Sequence, residues 1–431
     1  MPVASTAIAI LLISFFVLLI LKVPVTFSLA LSSVLTALYY QVPLMTIILK
    51  MVKGIESSSL MAIPFFIVAG EIMGAGGISR RLIELANVMV GRVRGGMAQV
   101  NILASMFFGG ISGSAVADVS SIGAILIPMM KDNGYDDDYS VAVTVTSSCQ
   151  GVIIPPSHNM IIYSLAAGGG VSVGRLFLGG MLPGVILGVG LMILSYIIAV
   201  KRGYPKGDKI PFKEKVKITM NAFFGLMTAV IIMGGVLSGV FTATESAAVA
   251  CLYAFVITFF VYREIPLKRM GNILYNALKT LALVLSLIAA AKAFGHMLAL
   301  LQVPALATNA LLTITQNKTL LLLLILVLIL LLGCIMDMAP LILILTPILL
   351  PVVTSLGMDP VQFGVVLILA LAIGLCTPPV GSALFVGCAI GKVSIEKMTK
   401  SLLPFYGIMV AVLLLITFVP GIVMFIPNLF L

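Results

Sequence analysis

The chain has 431 residues, of which 61% are hydrophobic and 9% are charged, and its mean hydropathy is +1.24. This composition excludes an ordinary soluble protein and predicts an all-α polytopic membrane protein, because several apolar runs could cross about 30 Å of hydrocarbon as helices. The net charge of +10 is typical of positively charged cytoplasmic loops and gives no indication of a nucleic acid partner.

The first half, residues 1–200, opens with apolar runs that predict scaffold helices. The N-terminal run lacks a basic leader and a small-residue cleavage site, so we expect a retained first helix rather than a cleaved signal. Residues 45–55 carry Lys50 and Lys53 beside apolar residues at helical spacing, which is typical of an arm lying in the membrane interface. The stretch 266–279 has the same character at the matching place of the second half.

Residues 98–130 enter the membrane and turn at a run of small and polar residues. This run contains Gly109, Gly110, Ser112, Gly113, Ser114 and Asp118. Irregular backbone at such a run would leave polar groups unpaired in lipid, so it must be buried in protein or line a water-filled cavity. The pattern therefore predicts a re-entrant helical hairpin with its tip inside the protein.

The next span, 139–165, is interrupted at Pro155 and Pro156. Proline removes a helix donor and frees backbone carbonyls, so the interruption predicts a broken transmembrane helix. After a further span, residues 201–217 form a basic loop with seven lysines and arginines, which we assign to the cytoplasm.

The second half, 218–431, repeats this order with scaffold helices, a hairpin at 320–352, a broken helix at 361–390 and a final helix. One offset of 223 residues relates the two halves without a gap. It pairs Gly110 with Gly333, Pro128 with Pro351, Gly134 with Gly357, Gly151 with Gly374, and Pro155-Pro156 with Pro378-Pro379. An odd number of spans and hairpins in each half predicts inverted repeats, the arrangement that places a secondary transporter's site at its broken helices.

The breaks offer oxygen ligands for sodium. Freed carbonyls lie beside the hydroxyls of Ser112, Ser114, Ser157, Thr377 and Ser382, although any single hydroxyl often bonds its own helix instead. A carboxylate in the bilayer core costs about 2.5 to 3.5 kcal/mol, so Asp118 and Asp337 either belong to the ion site or cap helix ends.

The same half-helix N-termini suit a carboxylate substrate, since their dipoles are positive there. His158 and Asn159 lie at the first break, where His158 either contacts substrate or is a hydrogen-bonded packing residue. Lys292, in an apolar stretch, either extends toward the interface or pairs with an acid such as Glu71. The five cysteines lack metal or disulfide spacing, so we expect free thiols and no cofactor beyond the coupling sodium ion.

Three segments resemble the large membrane subunit of the tripartite ATP-independent periplasmic (TRAP) transporters. They are Pro64-Phe65-Phe66-Ile67-Val68-Ala69-Gly70-Glu71-Ile72-Met73, Ser112-Gly113-Ser114-Ala115-Val116-Ala117-Asp118 and Ile153-Ile154-Pro155-Pro156-Ser157. The resemblance implies a non-enzymatic, elevator-type carrier of the ion transporter superfamily in the bacterial inner membrane, with a scaffold and a mobile transport domain. It also implies sodium coupling, a small membrane subunit and a soluble periplasmic protein that delivers a carboxylate.

The resemblance also implies the site residues. The sodium ligands would come from Ser112, Gly113, Ser114, Asp118 and Ser157 in one half and Asp337, Thr377, Gly381 and Ser382 in the other. The substrate would contact Ser114, Pro156, His158, Asn159, Pro379 and Ser382. Where many relatives have Ile-Pro after Pro-Pro-Ser, this chain has His158-Asn159, which favours a sugar acid such as sialic acid over a simple dicarboxylate.

Three other classes are weighed against this interpretation. A stand-alone sodium/dicarboxylate symporter of the same superfamily fits the residues equally well, and only a test of partners separates the two. An intramembrane aspartyl protease could use Asp118 and Asp337, but neither lies in a Gly-x-Gly-Asp motif and the repeat would be unexplained. A channel is disfavoured because duplicated re-entrant breaks suit a carrier that alternates access.

Overall fold

A computed structural model describes residues 3–207, 209–315 and 317–430, which are folded mainly into α-helices. Within these ranges the sole strand-like feature is an isolated bridge between Arg94 and Lys206. Six helices are long and apolar enough to cross a membrane, and a pair of shorter helices bent by 72° makes a seventh candidate. The chain is a multi-pass membrane protein.

The first half holds two apolar helices, a short helix, the bent pair, a hairpin, a broken helix and a long final helix. They are α1 (Ala4–Ile20), α2 (Val25–Tyr39), α3 (Leu44–Ile55), α4 (Ala62–Ala75), α5 (Ile78–Val90), α6 (Gly96–Ser112), α7 (Ala115–Asp118), α8 (Ala124–Asp132), α9 (Asp137–Ser148), α10 (Gln150–Ile153), α11 (His158–Ala166) and α12 (Val173–Arg202). A π-helical turn, Val119–Gly123, joins α7 to α8. The stretch 98–130 thus lies in α6 to α8, and 139–165 in α9 to α11.

The second half follows a similar order. Its helices are α13 (Phe212–Leu237), α14 (Ala243–Val256), α15 (Met270–Leu300), α16 (Val303–Ile314), α17 (Lys318–Gly333), α18 (Met338–Ser355), α19 (Pro360–Leu375), α20 (Ser382–Gly391), α21 (Ile395–Phe418) and α22 (Pro420–Phe430). A π-helical turn, Ile257–Tyr262, extends α14. The stretch 320–352 lies in α17 and α18, and 361–390 lies in α19, α20 and the break between them.

The structure differs from the sequence prediction before the second hairpin. Residues 266–279 do not form a separate arm, because the helix that begins at Met270 continues without a break to Leu300. Lys279 lies inside this helix, and its ammonium lies over the ring of Tyr275, 4.3 Å from the centroid. The short helices that directly precede the two hairpins are α5 and α16, and each follows a left-handed residue, Gly77 or Gln302.

Glycines bring each hairpin into backbone contact with the broken helix of its own half. A Cβ added to Gly151 would lie 3.2 Å from the Cα of Gly109. In the second half a Cβ on Gly374 would lie 2.5 Å from the carbonyl carbon of Gly333. Only glycine permits so close an approach of two helix backbones. The offset of 223 pairs Gly151 with Gly374, whereas Gly109 lies one position before Gly110, the residue that it pairs with Gly333.

A polar cluster ties the start of α9 to the end of α12 beside the basic loop. Arg202 Nη1 and the hydroxyl of Tyr204 each lie 2.7 Å from Oδ2 of Asp136. The hydrogen bond from Tyr204, and then the hydrogen bond and charge of Arg202, lower the pKa of Asp136 below its ordinary value of 3.8. The ionised carboxylate is therefore the form that the folded chain favours.

We expect Asp136→Asn to lower the thermal unfolding temperature at pH 7. In acid, the variant and the unmodified protein should unfold at similar temperatures. A carboxyl whose pKa is lowered by folding stabilises the protein above its ordinary pKa, and the contribution disappears as the pH falls through the lowered value. Unfolding in detergent between pH 7 and pH 3 measures the difference between the two proteins. Asp132→Asn, at a neighbouring exposed acid, is the control, and an Asp136→Asn difference that does not shrink below pH 4 would contradict this explanation.

Candidate functional site

The tip of the first hairpin packs directly on the first helix break. Gly113 ends α6 with φ of 60°, and a Cβ there would lie 3.1 Å from the carbonyl oxygen of Pro156. Asn159 Nδ2 donates to the carbonyl of Gly113 at 3.4 Å. Residues that are more than 40 positions apart in sequence thus form one polar surface, and His158 is part of it, since its Nδ1 would lie 3.2 Å from the same Cβ.

The serines at this tip are partly used by the backbone. Ser112 Oγ accepts from the backbone N–H of Ser114, and Ser114 Oγ accepts from that of Ala117, each at 3.4 Å. Ser114 is thereby the N-cap of α7. Ser157 is fully buried, and its hydroxyl has no hydrogen-bond partner among the described residues, so it is available to a ligand.

The second tip and the second break are likewise in contact. The backbone N–H of Val380 donates to the carbonyl of Cys334 at 3.1 Å. A Cβ on Gly381 would lie 2.7 Å from the carbonyl oxygen of Leu375 and 2.9 Å from that of Thr377, so both oxygens lie beside Gly381. The Thr377 hydroxyl donates to the carbonyl of Ile373 at 2.7 Å, which is the helix back-bond that competes with ion binding.

The two candidate acids lie in different environments. Asp337 is exposed and caps α18, where its Oδ1 accepts the backbone N–H of Met338 at 2.9 Å. The offset of 223 pairs Asp337 with Ser114, and both are the N-cap residues that follow a hairpin tip. Asp118 lies one turn further along its helix and is 1% exposed.

The carboxylate of Asp118 is the notable buried charge of the described chain. Neither of its oxygens has a hydrogen bond of normal geometry among the described residues, although the Ser105 hydroxyl lies near enough to act on the carboxylate as a donor, and Cys149 is a further neighbour. Ser105 Oγ in turn lies 3.1 Å from Ser147 Oγ. A buried carboxylate without a partner is strongly unfavourable, so this position favours a bound cation or proton.

Asp118 lies beside the point where the two broken helices cross. Cys149 Sγ and Cys376 Sγ are 3.0 Å apart, and both thiols are free and buried. Cys149 also donates to the carbonyl of Ala372, and Cys376 to that of Val145, each at 3.1 Å. Each thiol therefore donates to a backbone carbonyl of the other broken helix, and Asp118 lies next to this contact.

A cavity of about 370 Å³ separates the first hairpin and break from helices α4 and α15. Of the residues predicted from sequence, Ser112, Ser114 and His158 line it. The opposite wall adds Glu71 from α4 and Thr280 from α15. The residues predicted from the second half do not line this cavity, and they are Asp337, Thr377, Pro379, Gly381 and Ser382. Pro156 and Asn159 are buried behind its wall.

Sequence reasoning named Glu71 as a possible partner of Lys292 but did not assign it to a site, and it missed Thr280. The available signal for Glu71 is helical spacing, because Ile67, Glu71 and Gly74 share the face of α4 that lines the cavity. A lone acid on an apolar helix face indicates a polar cavity. Thr280 gives no comparable signal, since it directly precedes a long apolar run.

Helical hairpins and broken helices that enclose a polar cavity within a bundle of apolar helices define a membrane transport protein. The model of the family described as "Tripartite ATP-independent periplasmic transporter, DctM component" matches residues 12–422. The chain therefore belongs to the large permease subunits of the tripartite ATP-independent periplasmic (TRAP) transporters. Membership in this family and the apolar helices place it in the bacterial inner membrane.

Individual relatives agree with this assignment. The chain is 38% identical over 382 residues to a sialic acid TRAP transporter large permease of Vibrio cholerae, covering 89% of each chain. It is 35% identical over 426 residues to a C4-dicarboxylate TRAP transporter large permease of Rhodobacter capsulatus, covering 96% of this chain and 97% of that one. The crystal structure of the YdaH transporter of Alcanivorax borkumensis has a similar fold, with a TM-score of 0.63, 14% identity and 86% coverage of both chains.

Proposed function

We propose that this subunit carries an organic acid into the cell by an elevator movement that is coupled to sodium entry. The observation that carries the proposal is the cavity between two groups of helices. One wall is the first hairpin tip and break, which hold Ser112, Ser114 and His158, and the other is the scaffold pair α4 and α15. Because the wall is divided in this way, sliding one group past the other would carry a bound solute across the membrane.

Sodium binding is supported by oxygen atoms at each break. In the first half, the hydroxyl of Ser157 and the carboxylate of Asp118 are both buried. Neither group has a hydrogen-bond partner of normal geometry among the described residues. In the second half, the crowded carbonyls of Leu375 and Thr377 lie beside Gly381, and the Ser382 hydroxyl is also without a described partner. Hard oxygen ligands of this kind suit sodium, and each half supplies its own set.

A sugar acid such as sialic acid is the substrate class that the cavity favours. Relatives are named for sialic acid and for C4-dicarboxylates, so the cavity of this chain is compared with both classes of acid. The cavity offers the hydroxyls of Ser112, Ser114, Ser121 and Thr280 together with the carboxylate of Glu71. Glu71 would repel the second carboxylate of a dicarboxylate but could accept hydrogen bonds from sugar hydroxyls.

We expect Glu71→Gln to make the carrier accept dicarboxylates. Removing the negative charge should strengthen competition by succinate against sialic acid uptake on the order of ten-fold, because like charges placed together cost several kcal/mol. Competition for labelled sialic acid in proteoliposomes measures the change. The control is Glu56→Gln, at an exposed acid outside the cavity. If succinate competed no better in the Glu71 variant than in the unmodified protein, Glu71 would not be a determinant of substrate selectivity.

The family is tripartite, so we propose two partners: a small membrane subunit and a soluble periplasmic binding protein that delivers the acid. The alternative is a stand-alone sodium/dicarboxylate symporter, which would need neither. Uptake of labelled sialic acid by proteoliposomes, with and without a sodium gradient, tests the proposed function. Equal uptake in both conditions would contradict sodium coupling.

A further inference from the structure

A second cavity, of about 260 Å³, lies between α3, the last third of α15, α18 and the end of α11. Three basic side chains line it: Lys50 from α3, and Lys292 and His296 from α15. No described acidic residue is among its lining residues, and the opposite wall includes the apolar residues Leu343 and Pro347. This concentration of basic groups is separate from the proposed carrier site and plays no part in it.

Lys292 is held in place at this cavity, but only one of the hydrogen-bond donors of its ammonium group is used. Its Nζ donates to the carbonyl of Leu165 at 2.8 Å, near the C-terminal end of α11. The stem of Lys292 passes over Gly54, where a Cβ would lie 2.7 Å from its Cγ. An ammonium group has three donors, so two remain for a ligand, and His296 adds a ring N–H in either protonation state.

The position of the cavity makes the basic cluster unusual. With the basic loop 201–217 in the cytoplasm, α13 and α14 cross the membrane and return, so α15 begins on the cytoplasmic side and ends on the periplasmic side. His296 and Lys292 lie one and two turns before its end at Leu300. Basic residues are normally depleted on the periplasmic side of the membrane. Two lysines that share one cavity without an acidic partner among its described lining residues would therefore be stabilised by a bound anion.

Apolar surface beside the cavity indicates what kind of anion fits. Helix α3 exposes Met45, Ile48, Leu49 and Val52, which are 45% to 63% exposed. An amphiphile would match both features, its charged head in the cavity and its acyl chains along α3, whereas a free ion would match the cavity alone. We propose that this cavity binds the phosphate of an anionic phospholipid from the periplasmic leaflet.

Lipid retention by the purified full-length chain tests the proposal. The chain is exchanged into detergent with equal amounts of phosphatidylglycerol and phosphatidylethanolamine, and bound lipids are counted by native mass spectrometry. We expect the unmodified protein to retain phosphatidylglycerol in preference, and Lys50→Gln and Lys292→Gln each to lower this retention about five-fold. Lys50 is exposed and makes no hydrogen bond within the described ranges, so its variant remains informative if Lys292→Gln folds poorly.

The matched control is Lys53→Gln, which removes a lysine from the same helix outside the cavity. Retention that falls equally in the Lys50 and Lys53 variants would overturn the site, because it would show a general effect of charge. Equal retention of the two lipids by the unmodified protein would also overturn it. Inorganic phosphate at millimolar concentration is added in a third arm, and displacement of phosphatidylglycerol by it would show that the site takes free phosphate rather than lipid.

Discussion

Gly374→Ala is expected to prevent stable folding of the chain, although alanine normally favours helices over glycine. The new Cβ would lie 2.5 Å from the carbonyl carbon of Gly333, so α17 and α19 would have to separate where the second hairpin meets its broken helix. Forcing extra volume into a packed core costs about 1 to 3 kcal/mol, and more when the obstacle is backbone. Thermal unfolding in detergent and the yield of monodisperse protein measure the effect.

Gly407→Ala is the control for this substitution. Gly407 lies inside α21 with nothing within 4 Å of an added Cβ, so the same change should leave stability equal or raise it by up to about 1 kcal/mol. The two substitutions are thus expected to change the folding stability in opposite directions. If Gly374→Ala proved as stable as Gly407→Ala, the close backbone approach at the second tip would be contradicted.

Asp118→Asn is expected to raise the sodium concentration needed for half-maximal uptake on the order of ten-fold or more, since hydrogen bonds and contacts to charged groups contribute about 1.5 to 3 kcal/mol. Asparagine keeps the shape of the side chain and removes its charge. The acid is buried beside the crossing of the broken helices and lacks a described hydrogen-bond partner, so its charge has no evident structural use. Sodium titration of uptake in proteoliposomes is the measurement.

Asp337 allows the capping and ion-binding interpretations to be separated. Asparagine is as good an N-cap as aspartate, so Asp337→Asn keeps the cap of α18 and loses only the charge, whereas Asp337→Ala loses both. Weaker sodium dependence in both variants would assign the carboxylate to the ion site. A change confined to the alanine variant would assign it to the cap, and unaltered sodium dependence in Asp118→Asn would remove that acid from the proposal.

The breaks could be located from the sequence because glycine and proline act locally. Pro155-Pro156 and Pro378-Pro379 cannot continue a helix, and each lies in the structure between two helical segments. The small residues near Gly110 and Gly333 likewise lie at the ends of α6 and α17. These features depend on a residue and its immediate neighbours, which a sequence displays directly.

Features that depend on distant segments were not predictable in this way. Residues 266–279 look like a separate arm because of their lysines, yet long lysine stems can lie along a continuous helix, and α15 runs through them. The approach of Cys149 to Cys376 joins residues 227 positions apart. Thr280 reaches the cavity only because α15 packs opposite the first hairpin, and no local pattern encodes that packing.

The central claim is tested most directly by uptake of labelled sialic acid into proteoliposomes that hold this chain with its small subunit. Four conditions combine the presence or absence of an inward sodium gradient with the presence or absence of the soluble periplasmic binding protein. The account predicts uptake only when both are present. Uptake driven by sodium in the absence of the binding protein would contradict it and favour a stand-alone symporter.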